Sequence, residues 1–124
     1  REWFWIIGNH DPRLPDELRG HVTLQLTLAS IRFRHEPAEG AVAHEIAGHL
    51  HPAARVAKRG HTVRRKCFVT DGRRLVMPAF GAYTGGLNVL HESFAPLFPA
   101  ASFQVWMLGR QDVYPVGKRY LLGD

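Results

Sequence analysis

The chain of 124 residues is long enough for one domain and too short for two. Hydrophobic residues at 45% and charged residues at 22% sit near globular averages, which excludes disorder and low complexity. A single cysteine, Cys67, excludes an intrachain disulfide framework, and no apolar run reaches the ~18 to 20 residues of a membrane span. The expectation is a soluble, cytoplasmic protein with no membrane partner.

Taken in order, the chain reads as strand-rich with short helices. It opens at Arg1 and runs straight into Trp3-Phe4-Trp5-Ile6-Ile7, read as a buried strand, so upstream sequence is expected to be missing. Pro12 to Arg19 reads as a turn with one helical turn. Val22 to Leu26 and Ile31 to Arg34 alternate apolar and polar as half-buried strands do, the second delivering His35 at its end. Glu45-Ile46-Ala47 leads into Gly48-His49-Leu50-His51, a strand end closed by Pro52. Strands follow at Arg55 to Lys58, Arg64 to Thr70 and Arg73 to Met77, with a hairpin at Asp71-Gly72. Pro78 to Leu87 is a glycine-rich loop carrying Tyr83, Glu92 to Phe98 reads as a helix, and Phe103 to Leu108 with Asp112 to Val116 as a closing hairpin. Trp3, Trp5, Phe80 and Trp106 are assigned to the core. Residues 1-124 form a single domain, with no internal repeat and no linker.

Sixteen Lys and Arg against eleven Asp and Glu leave a net charge of +5 with histidines neutral. Eight of the sixteen fall in one stretch, Arg55, Lys58, Arg59, Arg64, Arg65, Lys66, Arg73 and Arg74, opposed only by Asp71. That stretch reads either as an electrostatic footprint for a phosphate backbone or as the solvated face of a hairpin. With Phe68 its only aromatic, base stacking has little support there.

Three segments place ligand-type residues at strand ends: Gly8-Asn9-His10-Asp11, His35 before Glu36-Pro37, and Gly48-His49-Leu50-His51. Side chains two apart on an extended segment point the same way, so His49 and His51 are expected to face one site. Glycines 8 and 48 suit close backbone approach. An amide oxygen together with imidazole nitrogens suits Mn, Fe, Zn or Ni better than Ca. None of the pairs His35-Glu36, His44-Glu45 and His91-Glu92 completes a zincin motif, and no Walker loop is present. His44 and His61 read as exposed polar residues. Tyr83, Arg34 and Glu36 lie near the segments by sequence.

Together and in this order, the three segments resemble the last three signature blocks of the calcineurin-like metallophosphoesterases. The flanking residues Trp5 to Pro12, Phe33 to Pro37, Glu45 to Ala53 and Pro78 to Gly86 resemble its PdeM branch, the ligase-associated DNA damage response endonucleases. The resemblance covers Trp3 to about Arg119. It implies an α/β fold, the C-terminal, strand-rich part of a four-layer α/β/β/α sandwich. It also implies a metal-dependent phosphoesterase that hydrolyses phosphodiesters, with DNA as substrate, through two divalent metal ions, Mn first and Fe, Zn or Ni as alternatives. Asn9, His35 and His49 would ligate one metal and His51 the other. His10 would stabilise developing charge at the phosphate and protonate the leaving oxygen, with Asp11 orienting it. A DNA ligase and helicase repair system is the implied partner. The family's first two blocks, Asp-x-His and Gly-Asp, belong upstream of Gly8, so the two-metal site is incomplete in this chain. The alternative reading is a non-catalytic metal-, phosphate- or nucleic-acid-binding module, or an inactive fragment.

Overall fold

The computed structural model describes residues 1–8 and 15–124. Asn9, His10, Asp11 and Pro12 lie outside them. In chain order the strands are β1 (Phe4–Ile6), β2 (His21–Thr23), β3 (Gln25–Leu28), β4 (Ile31–Arg34), β5 (Glu45–Ala47), β6 (Pro52–Lys58), β7 (His61–Thr70), β8 (Arg74–Val76), β9 (Leu87–Asn88), β10 (Gln104–Leu108), β11 (Val113–Val116) and β12 (Leu121–Leu122). The strand-rich α/β architecture expected from the sequence is present, with 42% strand and 8% helix. Among the described residues the helical segments are 3-10 turns at Glu92–Leu97 and Lys118–Tyr120.

A main sheet runs in the order β11-β10-β7-β8-β5-β4-β3, and β1 and β2 form a separate parallel pair. Strands β4, β5 and β8 are mutually parallel neighbours, so their carboxyl ends open on the same edge. The ten residues of β7 serve two neighbourhoods: His61 to Lys66 pair with β6, and Cys67 to Thr70 pair with β10. Two tight loops set register. Arg59 (φ 47°) and Gly60 (φ 82°) join β6 to β7, and Gly72 (φ 87°) closes the β7–β8 hairpin at the expected place. Positive φ at both loop residues matches the twist of a two-residue hairpin, which is how Arg59-Gly60 works without a familiar Asn-Gly signal.

Alternation on β7 and β10 builds the core. Cys67 and Val69 face inward opposite Met107 and Val105, and Val69 lies opposite Val76. Phe94, Leu97 and Phe98 close over this face. Phe94 and Leu97 are three apart, which eclipses them in a 3-10 turn and buries both. Pro96 lacks the N–H a continuing α-helix needs, so the expected helix at 92–98 is a 3-10 turn instead.

Several expectations are corrected. Trp3 is 63% exposed and Phe80 93% exposed, so neither is core, while Trp5 and Trp106 are half-buried. Among the described residues the β1–β2 pair has no further strand beside it, and Trp3 and Phe4 are exposed, so the expected buried strand is not found. Arg74 belongs to no solvated face. It is fully buried, paired with Glu45 at 2.7 Å, both side chains at 0% exposure.

All five guanidinium N–H groups of Arg74 are used. Nε and Nη2 donate to Glu45 Oε1 (3.1 and 2.7 Å), Nη2 also to Ala38 O (2.7 Å), and Nη1 to Gly40 O and Leu97 O (2.8 and 3.3 Å). Glu45 Oε2 accepts from Ala38 N at 3.0 Å and faces Arg34 Nε at 3.4 Å. Glu45→Gln leaves a buried cation without its counter-ion and is expected to lower unfolding stability by about 3 to 5 kcal/mol in a urea titration. A loss below about 1 kcal/mol would show that the pair is dispensable.

Burial pushes the Cys67 thiol up to about 12, against the lowering influence of Arg64. At pH 8 only about one thiol in ten thousand is then ionised. Native protein is expected to leave an aromatic disulfide reagent unreacted until denaturant is added; a fast native reaction would contradict this burial.

Candidate functional site

Parallel β4 and β5 end side by side, which brings the residues after them together. Gly48 N donates to His35 O at 2.8 Å, locking the two strand exits. Beyond that lock, His35 Nε2 and His49 Nδ1 lie 3.2 Å apart with their rings inclined by 71°. The exit of β1 joins them. A Cβ on Gly8 would lie 2.5 Å from the His35 ring, so glycine is there because the imidazole occupies that space. Gly48 has no such need: a Cβ there meets nothing closer than His35 O at 3.6 Å. Ligand sites of open α/β sheets lie at the carboxyl ends of parallel strands, and this cluster sits at that edge.

His49 is aimed by local backbone geometry. Leu50 N donates to Gly48 O at 2.8 Å, closing a γ-turn centred on His49, whose φ is 70°. Such turns are rare for a residue with a side chain and store strain, which clusters at functional positions. His51 also has positive φ, at 50°. The segment 48–51 is therefore not extended, and the alternation that placed His49 and His51 on one face does not apply. Pro52 begins β6 and does not end a strand. His51 is half-buried beside the pair in sequence, its carbonyl accepting from Leu87 N at 2.8 Å.

The remaining edge of His49 meets Glu36: Nε2 lies 3.9 Å from Oε1. Both residues line a cavity of about 440 Å³ with Pro37, Gly40, Leu50 and Leu97. Arg34 does not reach this cavity wall; its Nε is buried against the Glu45 carboxylate without a hydrogen bond. Tyr83 is fully exposed on the glycine-rich loop.

The donor chemistry fits a divalent cation in part. Two nitrogens each at about 2.0 to 2.1 Å from one tetrahedral or octahedral ion sit roughly 2.9 to 3.4 Å apart, which brackets the 3.2 Å separation. Among the described residues no third His, Cys, Asp or Glu joins them in a metal-holding group. Asn9, His10 and Asp11 fall outside the described residues.

The basic stretch is divided among different tasks. Arg64 donates to Gly86 O (2.6 Å) and to Asp124 (3.1 Å to each oxygen); the bond to Asp124, more than that from Asn88, holds the Asp124 carboxyl below its ordinary value. Lys66 Nζ holds the glycine-rich loop through Ala79 O (3.0 Å) and Gly81 O, and Arg55 donates to Gly123 O (2.9 Å). Lys58, Arg59, Arg65 and Arg73 are exposed, but β7 separates the first pair from Arg73 by roughly 30 Å. A basic stretch that is contiguous in sequence is therefore not one patch in space.

Solved structures supply the decisive comparison. The chain is similar to the Pseudomonas putida nuclease MPE, with a TM-score of 0.66 and 29% identity. This is a nuclease-like fold. The match covers 93% of the present chain and 54% of the nuclease, so the chain spans about half of that protein's length. No protein-family model and no curated protein matches the sequence.

Sequence reasoning missed Glu45 and Arg74, which fix the loop behind His35. The one signal available was a glutamate inside a short apolar strand, Glu45-Ile46-Ala47, where an ionised side chain needs a buried partner. The glycine that matters is Gly8. Gly8→Ala is expected to expel the His35 ring while leaving unfolding stability within about 1 kcal/mol, because a side chain can rotate away where backbone cannot. Histidine ring NMR shifts check this; an unmoved His35 would show that the approach is looser.

Proposed function

We propose that this chain carries part of the active site of a metal-dependent phosphodiesterase acting on nucleic acid. The observation that carries the reading is the pairing of His35 and His49 at 3.2 Å, at the carboxyl ends of parallel strands. Its support from outside the chain is the likeness to a nuclease.

In this reading His35 Nε2 and His49 Nδ1 hold one divalent cation, Mn first, with Asn9 as their third ligand. His51 contributes to a second cation whose other ligands would come from Asp-x-His and Gly-Asp blocks beyond these 124 residues. A bound divalent cation supplies Lewis-acid activation of the phosphodiester and of the attacking water. His10 stabilises charge as it develops on the phosphoryl oxygens and gives its proton to the leaving oxygen, while Asp11 accepts its other ring proton and fixes its orientation. The cavity beside His49 gives a substrate room to approach. Lys58, Arg59, Arg65 and Arg73 attract a polyanion from separate faces without reading sequence. DNA as the substrate, a ligase and helicase repair setting and a cytoplasmic location complete the proposal.

The test is Mn-dependent hydrolysis of bis(p-nitrophenyl) phosphate by this chain joined to Asp-x-His and Gly-Asp blocks that complete the site, beside His35→Ala and His49→Ala in the same protein. Each substitution is expected to lower turnover by more than the roughly 100-fold that loss of an outer-shell partner costs, with the fold intact by circular dichroism. Turnover that survives both changes overturns the assignment. Salt-sensitive DNA binding without turnover, unchanged in His49→Ala, would establish instead a non-catalytic nucleic-acid-binding module.

A further inference from the structure

We propose that Glu36 is the positioning residue for His49: its carboxylate, 3.9 Å from Nε2, favours the proton on that nitrogen and so presents the Nδ1 lone pair toward His35. The inference rests on the cation reading above and deepens it. The two nitrogens of one imidazole point from opposite edges of the ring, and here each edge has a distinct neighbour. Nδ1 faces His35 Nε2 at 3.2 Å, and Nε2 faces Glu36 Oε1 at 3.9 Å. A neutral imidazole carries a single proton, so whichever nitrogen is held as a donor leaves the other as the ligand. A carboxylate on the Nε2 side selects the Nε2–H tautomer, the one with a free pair on Nδ1.

The placement of Glu36 follows from the chain itself. It comes directly after His35, and Pro37 and the Arg74-bound carbonyls of Ala38 and Gly40 fix the loop that follows. Its side chain is 60% exposed and that of His49 28% exposed, and both line the same cavity, so the carboxylate stays solvated while its charge faces the Nε2 edge of the ring. Glu36 stands on the far edge of the ring from His35 and therefore acts through His49, not as a ligand beside it. Glu39 lines the same cavity and serves as the control.

Two measurements separate this proposal from the reading beneath it. In metal-free protein, long-range proton–nitrogen NMR above the histidine titration range is expected to find His49 as the Nε2–H tautomer. In Glu36→Ala it becomes a mixture, and in Glu39→Gln it stays unchanged. Calorimetric titration with Mn is expected to show a 10- to 100-fold weaker dissociation constant for Glu36→Ala, an intermediate value for Glu36→Gln, which still accepts the proton, and no change for Glu39→Gln. Unchanged tautomer and unchanged affinity in Glu36→Ala overturn the proposal and leave the cation reading in place. A tautomer change in Glu36→Ala, together with a wild-type protein that binds no Mn, overturns the cation reading and leaves the role of Glu36 standing.

Discussion

The geometry of the site depends on one buried ion pair. Glu45 and Arg74 stand opposite each other on parallel β5 and β8, and both are cut off from water. An unpaired charge at that depth would cost several kcal/mol, so the guanidinium recruits every acceptor within reach. Those acceptors include the carbonyls of Ala38 and Gly40, in the loop that follows His35, and of Leu97 at the end of the 3-10 turn. Satisfying one cation thereby fixes the loop after His35 and one wall of the cavity. The pair works as a registry device, holding β5, β8 and two loops in a single arrangement.

From that frame the histidine pair follows by geometry. β4 and β5 run in parallel, so their exits converge, and the backbone bond from Gly48 to His35 fixes their relative height. The γ-turn at His49 then rotates its ring toward His35 at the cost of a positive φ. A segment free to extend would have pointed that side chain elsewhere. Strain of order 1 to 3 kcal/mol persists only where the surroundings over-determine it. The Gly48–His35 bond on one side and the start of β6 at Pro52 on the other supply that constraint.

Charge along the chain is distributed by the same logic of partners. Arg55, Arg64 and Lys66 bind carbonyls and a carboxylate of the glycine-rich loop and the last residues, while Lys58, Arg59, Arg65 and Arg73 face water. Basic residues on a strand alternate faces, so a run of them in sequence divides between internal contacts and solvent. A net charge of +5 still leaves the summed field of these residues positive.

The sequence by itself determined the strand-rich class, most strand positions, the Asp71-Gly72 hairpin and the candidacy of His35 and His49. Hydrophobic alternation and turn chemistry are local, so a single chain displays them. It marked Gly8 and Gly48 alike for close approach, and only Gly8 has a side chain, the His35 ring, in the space a Cβ would take. It misassigned Trp3, Phe80 and Arg74, whose burial depends on what packs over them from distant parts of the chain. Only the tertiary structure decided that His49 pairs with His35 and not with His51 two residues away. The reason is physical: parallel strands bring exits 14 residues apart within 3.2 Å, while positive φ at 49 and 51 breaks the local alternation that would have joined near neighbours.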